Sequence, residues 1–160
     1  MNLSRKIADA VETLPPGGPL PCPVEAEAAG ARLSVHLTAQ GPVGIAFDGL
    51  DYAAAGRRDL SADELRKWGD RLAARLTYLM EPLVVLEVDA LAGEAALRSQ
   101  APTPRGDLRS FYEVRLRREG SLHLQRIAFD EAARRRQAVP CRMTIEVLER
   151  LADDLVASLD

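Results

Sequence analysis

The spacing of the apolar residues changes several times along this chain, and this limits the folds open to it. In three stretches they recur every three or four residues, which is typical of helices packed on one face. Between these stretches they alternate with polar residues, as in strands with one buried face, and Pro and Gly separate the segments. We therefore expect an α+β fold: a mostly antiparallel sheet of about seven strands with three helices packed on it, in the order α-βββ-α-ββββ-α. A length of 160 residues suits a single α+β domain spanning residues 1–160.

The middle helix has the clearest start. Ser61 and Glu64 can form a capping box, and Leu60 and Leu65 can clamp the entry as a hydrophobic staple. We expect the helix to run from Ala62 to about Met80, because the following Glu81-Pro82 ends it.

Gly69 lies beside the apolar face of this helix, where it weakens a helix by about 1 kcal/mol relative to Ala. Close approach of another backbone would explain the glycine, and that backbone could belong to the sheet or to a second copy of the helix. The second alternative makes the face a candidate dimer or partner helix. Its residues are Leu65, Trp68, Gly69, Leu72 and Leu76.

Shorter helices are expected at both ends of the chain. Ser4 can cap a helix that runs to about Leu14, and Thr144 can cap the last helix. The apolar faces comprise Leu3, Ile7, Val11 and Leu14 in the first helix, and Ile145, Leu148, Leu151, Leu155 and Leu159 in the last.

The strands before the middle helix follow an alternating pattern. Apolar residues alternate over 24–28, 33–37 and 43–47, with Gly30 and Gly41-Pro42 between them. We expect the third strand to continue through Leu50 and Tyr52, past a bulge at Gly49.

Two hairpins are expected after the middle helix. In the first, a four-residue loop at 90–93 sets Leu86 opposite Leu97 and Val88 opposite Ala95, which places apolar residues on one face. The Pro-containing segment from Gln100 to Leu108 is expected to be a loop.

The second hairpin joins 110–117 to 121–129 through Arg118-Glu119-Gly120. A three-residue loop with Gly120 in the left-handed region pairs Leu116 with Leu122 and Val114 with Leu124.

Basic residues are concentrated in the second half of the chain. Residues 98–142 hold eleven Arg and five acidic residues, within a chain of net charge −3. Arg115, Arg117, His123 and Arg126 could form a basic strip on the second hairpin, extended by the Arg134-Arg135-Arg136 run. This strip makes a nucleic-acid or anion-binding module an alternative function, with Phe111 and Phe129 as aromatic neighbours. A sequence pI of about 5.5 opposes a dedicated nucleic-acid binder.

No catalytic motif is recognised in the sequence, so we assign no catalytic residue, metal ligand or cofactor, and a non-enzymatic role is favoured. Cys141 is the one candidate nucleophile, because it precedes a helix start where a thiolate is stabilised. A small hydrolase or transferase acting through Cys141 is therefore the second alternative. Its competing interpretation is a buried structural thiol.

The leading hypothesis is a cytoplasmic protein- or peptide-binding module that acts as a homodimer. Its partner would add to a sheet edge or lie in an apolar groove. The order of elements and the acidity resemble those of type III secretion chaperones, which are small dimers that bind unfolded segments of other proteins. That resemblance implies a small chaperone-like or adaptor protein, and no site residue follows from it. No stretch of the sequence approaches the roughly 20 apolar residues of a membrane span, so no membrane partner is expected.

Overall fold

The computed structural model describes residues 2–15, 17–100 and 102–159. Met1, Pro16, Ala101 and Asp160, which the expected span 1–160 includes, lie outside this part of the chain. The α+β class and the order of the helices and longer strands are confirmed. The helices are α1 (Leu3–Glu12), α2 (Ala62–Arg75) and α3 (Ile145–Ala157). The strands are β1 (Cys22–Ala28), β2 (Ala31–Gln40), β3 (Ile45–Ala53), β4 (Leu83–Asp89), β5 (Glu94–Ser99), β6 (Thr103–Arg105), β7 (Leu108–Arg117), β8 (Ser121–Asp130), β9 (Arg135–Val139) and β10 (Cys141–Met143).

The strands form one antiparallel sheet whose main path runs β1-β2-β3-β8-β7-β5-β4. Three short strands lie off this path, with β10 beside β3, β6 beside β7 and β9 beside β8. The expected loop from Gln100 to Leu108 is therefore interrupted by β6, whose Pro104 pairs with Arg109 on β7. Pro occurs mainly in edge strands because it has no N–H to donate, which fits the position of β6.

The second hairpin has the predicted register. Leu116 lies opposite Leu122 and Val114 lies opposite Leu124, and Gly120 has a φ of +91°. The three-residue loop is favoured because Gly120 adopts this conformation without a Cβ clash.

The first hairpin is only partly as predicted. Val88 lies opposite Ala95, but the expected pairing of Leu86 with Leu97 is wrong, because a bulge at this point sets Val85 opposite Leu97. A β-bulge adds one residue to a strand, so the side chains beyond it point to the opposite faces from those that strict alternation predicts. Leu86 is therefore 52% exposed, while Val85 faces the core.

The three helices cover one face of the sheet, and α2 packs directly on β4 and β5. The indole N–H of Trp68 donates to the hydroxyl of Ser158 at 2.8 Å, which ties α2 to the end of α3. A Cβ at Gly69 would lie 2.8 Å from Cγ2 of Val85, so the close approach that this glycine allows comes from the sheet.

This packing corrects the expectation of a partner-binding helix. Each apolar side chain of that proposed face is fully buried in the core of its own chain, and Gly69 is buried with them. A second copy therefore finds no surface at Leu65, Trp68, Gly69, Leu72 and Leu76.

Two helix boundaries also differ from the sequence prediction. The last helical residue of α2 is Arg75 rather than a residue near Met80. The chain then turns so that the Tyr78 hydroxyl donates to Asp154 on α3 at 2.7 Å. Helix α1 is capped by Asn2 and not by Ser4, because the Asn2 side chain accepts from the backbone N–H of Arg5.

Candidate functional site

Polar and charged side chains from four strands meet on the face of the sheet opposite the helices. The strand registers place Ser34, Asp51, His123 and Arg115 in one row across β2, β3, β8 and β7. Each of these residues alternates with core residues of its strand, so the side chains of the row share the open face.

A depression of about 420 Å³ surrounds this row. Three of the four residues predicted to form the basic strip line it, namely Arg115, Arg117 and His123. Arg32 of β2 and Asp51 of β3 complete its charged lining. The sequence prediction missed these two residues, although both alternate out of the buried faces of predicted strands.

The imidazole of His123 is held by Asp51. The His123 Nδ1 atom lies 2.8 Å from Oδ1 of Asp51. The bulge glycine Gly49 lies beside the ring, and a Cβ there would sit 3.0 Å from Cε1 of His123. The predicted bulge in β3 therefore also makes room for this histidine.

The row lacks the order that a hydrolytic triad needs. In a triad the imidazole lies between the hydroxyl and the carboxylate, so that it can take the proton of the nucleophile. Here Asp51 lies between Ser34 and His123 along the row. The arrangement therefore suits ligand binding better than nucleophilic catalysis.

The arginines around the depression are held by long ion pairs at the surface. The N–O distance is 3.7 Å for each of the pairs Arg32–Glu27, Arg115–Glu94 and Arg117–Glu94. Exposed ion pairs of this kind contribute about 0–1 kcal/mol. These guanidinium groups can therefore exchange their carboxylate partners for a ligand at little energetic cost.

Arg126 does not belong to this surface, and its assignment to the strip is corrected. It lies opposite Tyr112 on the helix-covered face of β8 and is 6% exposed. Its guanidinium forms a bidentate pair with the buried carboxylate of Glu81. Of the Arg134-Arg135-Arg136 run, Arg136 donates to Glu113 at 2.6 Å.

A second depression of about 520 Å³ adjoins the first and shares Asp51 and His123 with it. His36 and Asp48 also line it, so both histidines of the chain lie on this part of the open face. Within the described ranges no group of three or more His, Cys, Asp or Glu side chains is arranged to hold a metal ion.

Cys141 lies in β10 opposite Phe47 and is fully buried. Burial raises the pKa of this thiol to about 12. Because the thiolate is the reactive form, the environment of Cys141 is that of a structural thiol and gives no support to a nucleophile.

The edge strand β4 carries exposed apolar residues. Three of the exposed large hydrophobic side chains of the described residues lie on it or next to it: Met80 (67%), Leu86 (52%) and Leu91 (95%). β4 pairs only with β5 within the described sheet, so its outer side presents backbone groups that no strand of this chain pairs with. Such an edge is a ready template for pairing with another chain.

The residues that flank Met80 and Leu91 are firmly held. Arg126 donates a hydrogen bond to Glu81, and Tyr78 donates one to Asp154, so the chain is held on both sides of Met80. After β4, the Asp89 carboxylate accepts from the backbone N–H of Leu91 at 3.1 Å. The Leu91 carbonyl accepts from Arg118 at 3.1 Å. These contacts tie the segments at both ends of β4 to the rest of the chain.

Comparison with known protein families, with curated proteins and with solved structures finds no match for this chain. The resemblance to secretion chaperones thus rests on element order and acidity alone. None of the helices in the described residues is both long enough and apolar enough to cross a membrane.

Proposed function

We propose that this chain is a non-enzymatic protein-binding module whose binding site is the edge strand β4, and that a second copy of the chain occupies it. The observation that carries the proposal is the exposure of Leu86 on the unpaired edge strand β4, with Met80 and Leu91 exposed beyond its two ends. A partner strand there would satisfy the outer backbone groups and bury these side chains.

The distribution of apolar residues favours a second copy as the partner. The bulge divides β4 near its middle, and Met80 and Leu91 are separated from it by similar numbers of residues along the chain, one before it and one after it. An antiparallel pairing about a twofold axis brings the Met80 end of one copy to the Leu91 end of the other. Such an isologous interface uses the same patch twice, and this patch is complementary to itself.

Charge does not oppose this pairing. Leu83 and Val88 face the helices, whereas Val84 and Glu87 lie on the open face. A register with Leu83 opposite Val88 and Val84 opposite Glu87 keeps both faces matched across the axis. In this register no carboxylate of β4 lies opposite the same carboxylate of the second copy. Like charges placed opposite each other would be destabilising.

The other edge of the sheet is protected. β1 carries Pro23, Glu25 and Glu27 on its exposed positions, and α1 packs beside it. Proline and charge are the usual means of preventing strand addition. The Leu-Val-Val-Leu sequence of β4 makes it the more apolar of the two end strands of the main path.

The proposal is tested by sedimentation of the wild type and of two matched variants. Leu86→Lys places a charge on the edge, whereas Val43→Lys makes the same change at an 83% exposed residue of the β2–β3 loop. We expect a dimer for the wild type and Val43→Lys, and a monomer with unchanged circular dichroism for Leu86→Lys. Hydrogen exchange should show that the β4 amides lose protection in the monomer.

A monomeric wild type over the accessible concentration range would overturn the self-association. A dimer unaffected by Leu86→Lys would place the interface elsewhere and would equally contradict the proposal.

A further inference from the structure

We infer that the depression on the open face is a binding site for a compact dianion, with phosphate or carboxylate oxygens held by Arg32, Arg115 and Arg117. This site spans β2, β3, β8 and β7, and β5 lies between it and the edge strand β4, so it is separate from the proposed dimer edge.

The residue types suit an oxyanion. The guanidinium group presents several N–H donors in a planar fork that matches two oxygens of a phosphate or carboxylate. Arg115 and Arg117 are two residues apart on one face of β7, and Arg32 approaches from β2. A ligand between them would be contacted from two sides.

The present partners of these arginines are weak competitors. Arg115 lies 3.4 Å from Glu113, but Arg136 already donates to Glu113 at 2.6 Å. The distances to Glu94 and Glu27 are longer than the 2.7–2.9 Å that is typical of a charge-assisted hydrogen bond. An anion with good geometry can therefore displace them.

Asp51 is the one carboxylate among the lining residues, and it faces His123. It opposes an anion by charge, while it orients the imidazole. Ser34 and Ser121 supply hydroxyl groups, and Ala53 supplies apolar surface. A volume of about 420 Å³ leaves room for a small organic group beside the anionic end.

A small anion is favoured over a nucleic-acid strand. Binders of single strands stack bases on accessible aromatic rings. Phe111 is 7% exposed, and its ring is covered by Arg98, whose Cζ lies 4.9 Å from the ring centroid. The ring of Phe111 is thus covered within the chain and does not offer an open face to a base.

The test is an NMR titration that follows the arginine side-chain N–H signals at constant ionic strength. The probes are inorganic phosphate, glycerol phosphate, malonate and a short single-stranded oligonucleotide. We expect saturable millimolar binding of at least one of the first three, with shifts at Arg32, Arg115 and Arg117. Phosphate or glycerol phosphate binding identifies a phosphate ligand, whereas malonate binding alone identifies a dicarboxylate.

Two kinds of variant sharpen this test. Arg115→Gln with Arg117→Gln should weaken binding at least tenfold, while Arg142→Gln, at an exposed position on β10, should leave it unchanged. Asp51→Asn removes the opposing charge and should strengthen binding several-fold. This gain of affinity cannot result from misfolding.

Binding of the oligonucleotide alone, equal losses in the Arg115/Arg117 and Arg142 variants, or no saturable shift with any probe would overturn the inference. None of these results bears on the sedimentation of the dimer, so the two proposals fail separately.

Discussion

Arg126 and Glu81 form a bidentate ion pair in the interior of this protein. The Nη1–Oε1 distance is 3.2 Å and the Nη2–Oε2 distance is 3.0 Å, and both residues are less than 7% exposed. The guanidinium also lies 4.6 Å from the centroid of the Tyr112 ring. The pair joins the segment before β4 to the centre of the sheet, so it fixes the start of the exposed edge.

Loss of one member of this pair should be strongly destabilising. Glu81→Ala leaves the guanidinium of Arg126 buried without its carboxylate, and we expect a loss of about 3–5 kcal/mol in the free energy of unfolding. Urea denaturation measures it. Glu81→Leu combined with Arg126→Met should recover much of the loss, because an apolar pair removes both buried charges. A loss below about 1 kcal/mol in Glu81→Ala would contradict a buried pair.

The same pair should make stability depend on acid pH. Burial raises the pKa of Glu81, but hydrogen bonds from Arg126, Thr103 and Ser99 outweigh it and hold the pKa below its ordinary value of 4.5. The unfolded chain then binds more protons between the two pKa values, so the free energy of unfolding rises with pH there. This stabilisation is complete above about pH 4.5 and is lost as the pH falls through the folded pKa. As the pH is lowered through the acid range, the urea midpoint should fall more steeply for the wild type than for Glu81→Gln. The same pH dependence in both proteins would refute the assignment.

Gly69→Ala should lower stability despite the better helix propensity of alanine. The added Cβ lies 2.8 Å from a methyl group of Val85, and a valine cannot swing away as a long side chain can. We expect overpacking to exceed the propensity gain of about 1 kcal/mol. Thermal or urea unfolding tests this, with Val85→Ala as the matched background. In the Val85→Ala background, Gly69→Ala should be neutral or stabilising. If Gly69→Ala lowers stability equally in both backgrounds, Val85 is not the side chain that clashes with the added Cβ.

Cys141 should be inert in the folded protein. Its burial raises the thiol pKa to about 12, so almost no thiolate is present near neutral pH. In a Cys22→Ser background, alkylation should begin only when denaturant unfolds the chain. Cys22 is half-buried, and in a Cys141→Ser background it serves as the comparison thiol. Native-state alkylation of Cys141 at the rate of an ordinary thiol would revive the nucleophile hypothesis.

Local signals were sufficient to predict much of the fold. The capping box of Ser61 and Glu64 forms as expected, since both hydrogen bonds lie within four residues of sequence. The register of the second hairpin followed from a glycine turn and two pairs of leucine or valine residues. The same alternation placed Arg115, Arg117 and His123 on one face, and so predicted part of the depression.

Other features depend on contacts between distant segments. The bulge at Leu86 lets Val85 pack against Gly69, a residue of another element, and nothing in the local alternation marks it. Arg126 was misplaced because its charge predicts exposure, whereas Glu81, 45 residues away, makes burial favourable. Arg32 and Asp51 were missed because only the pairing of β2 with β3 and of β3 with β8 brings them close to His123.

The amino-acid sequence was enough to predict the type and order of the helices and of the longer strands, because apolar period, caps and turns act over a few residues. What the apolar face of α2 packs against, which strand lies at the edge of the sheet and which charges meet became clear only from the folded structure. Those outcomes arise from burial and ion pairing between segments far apart in the chain, and the energy of each contact exists only once the sheet has assembled.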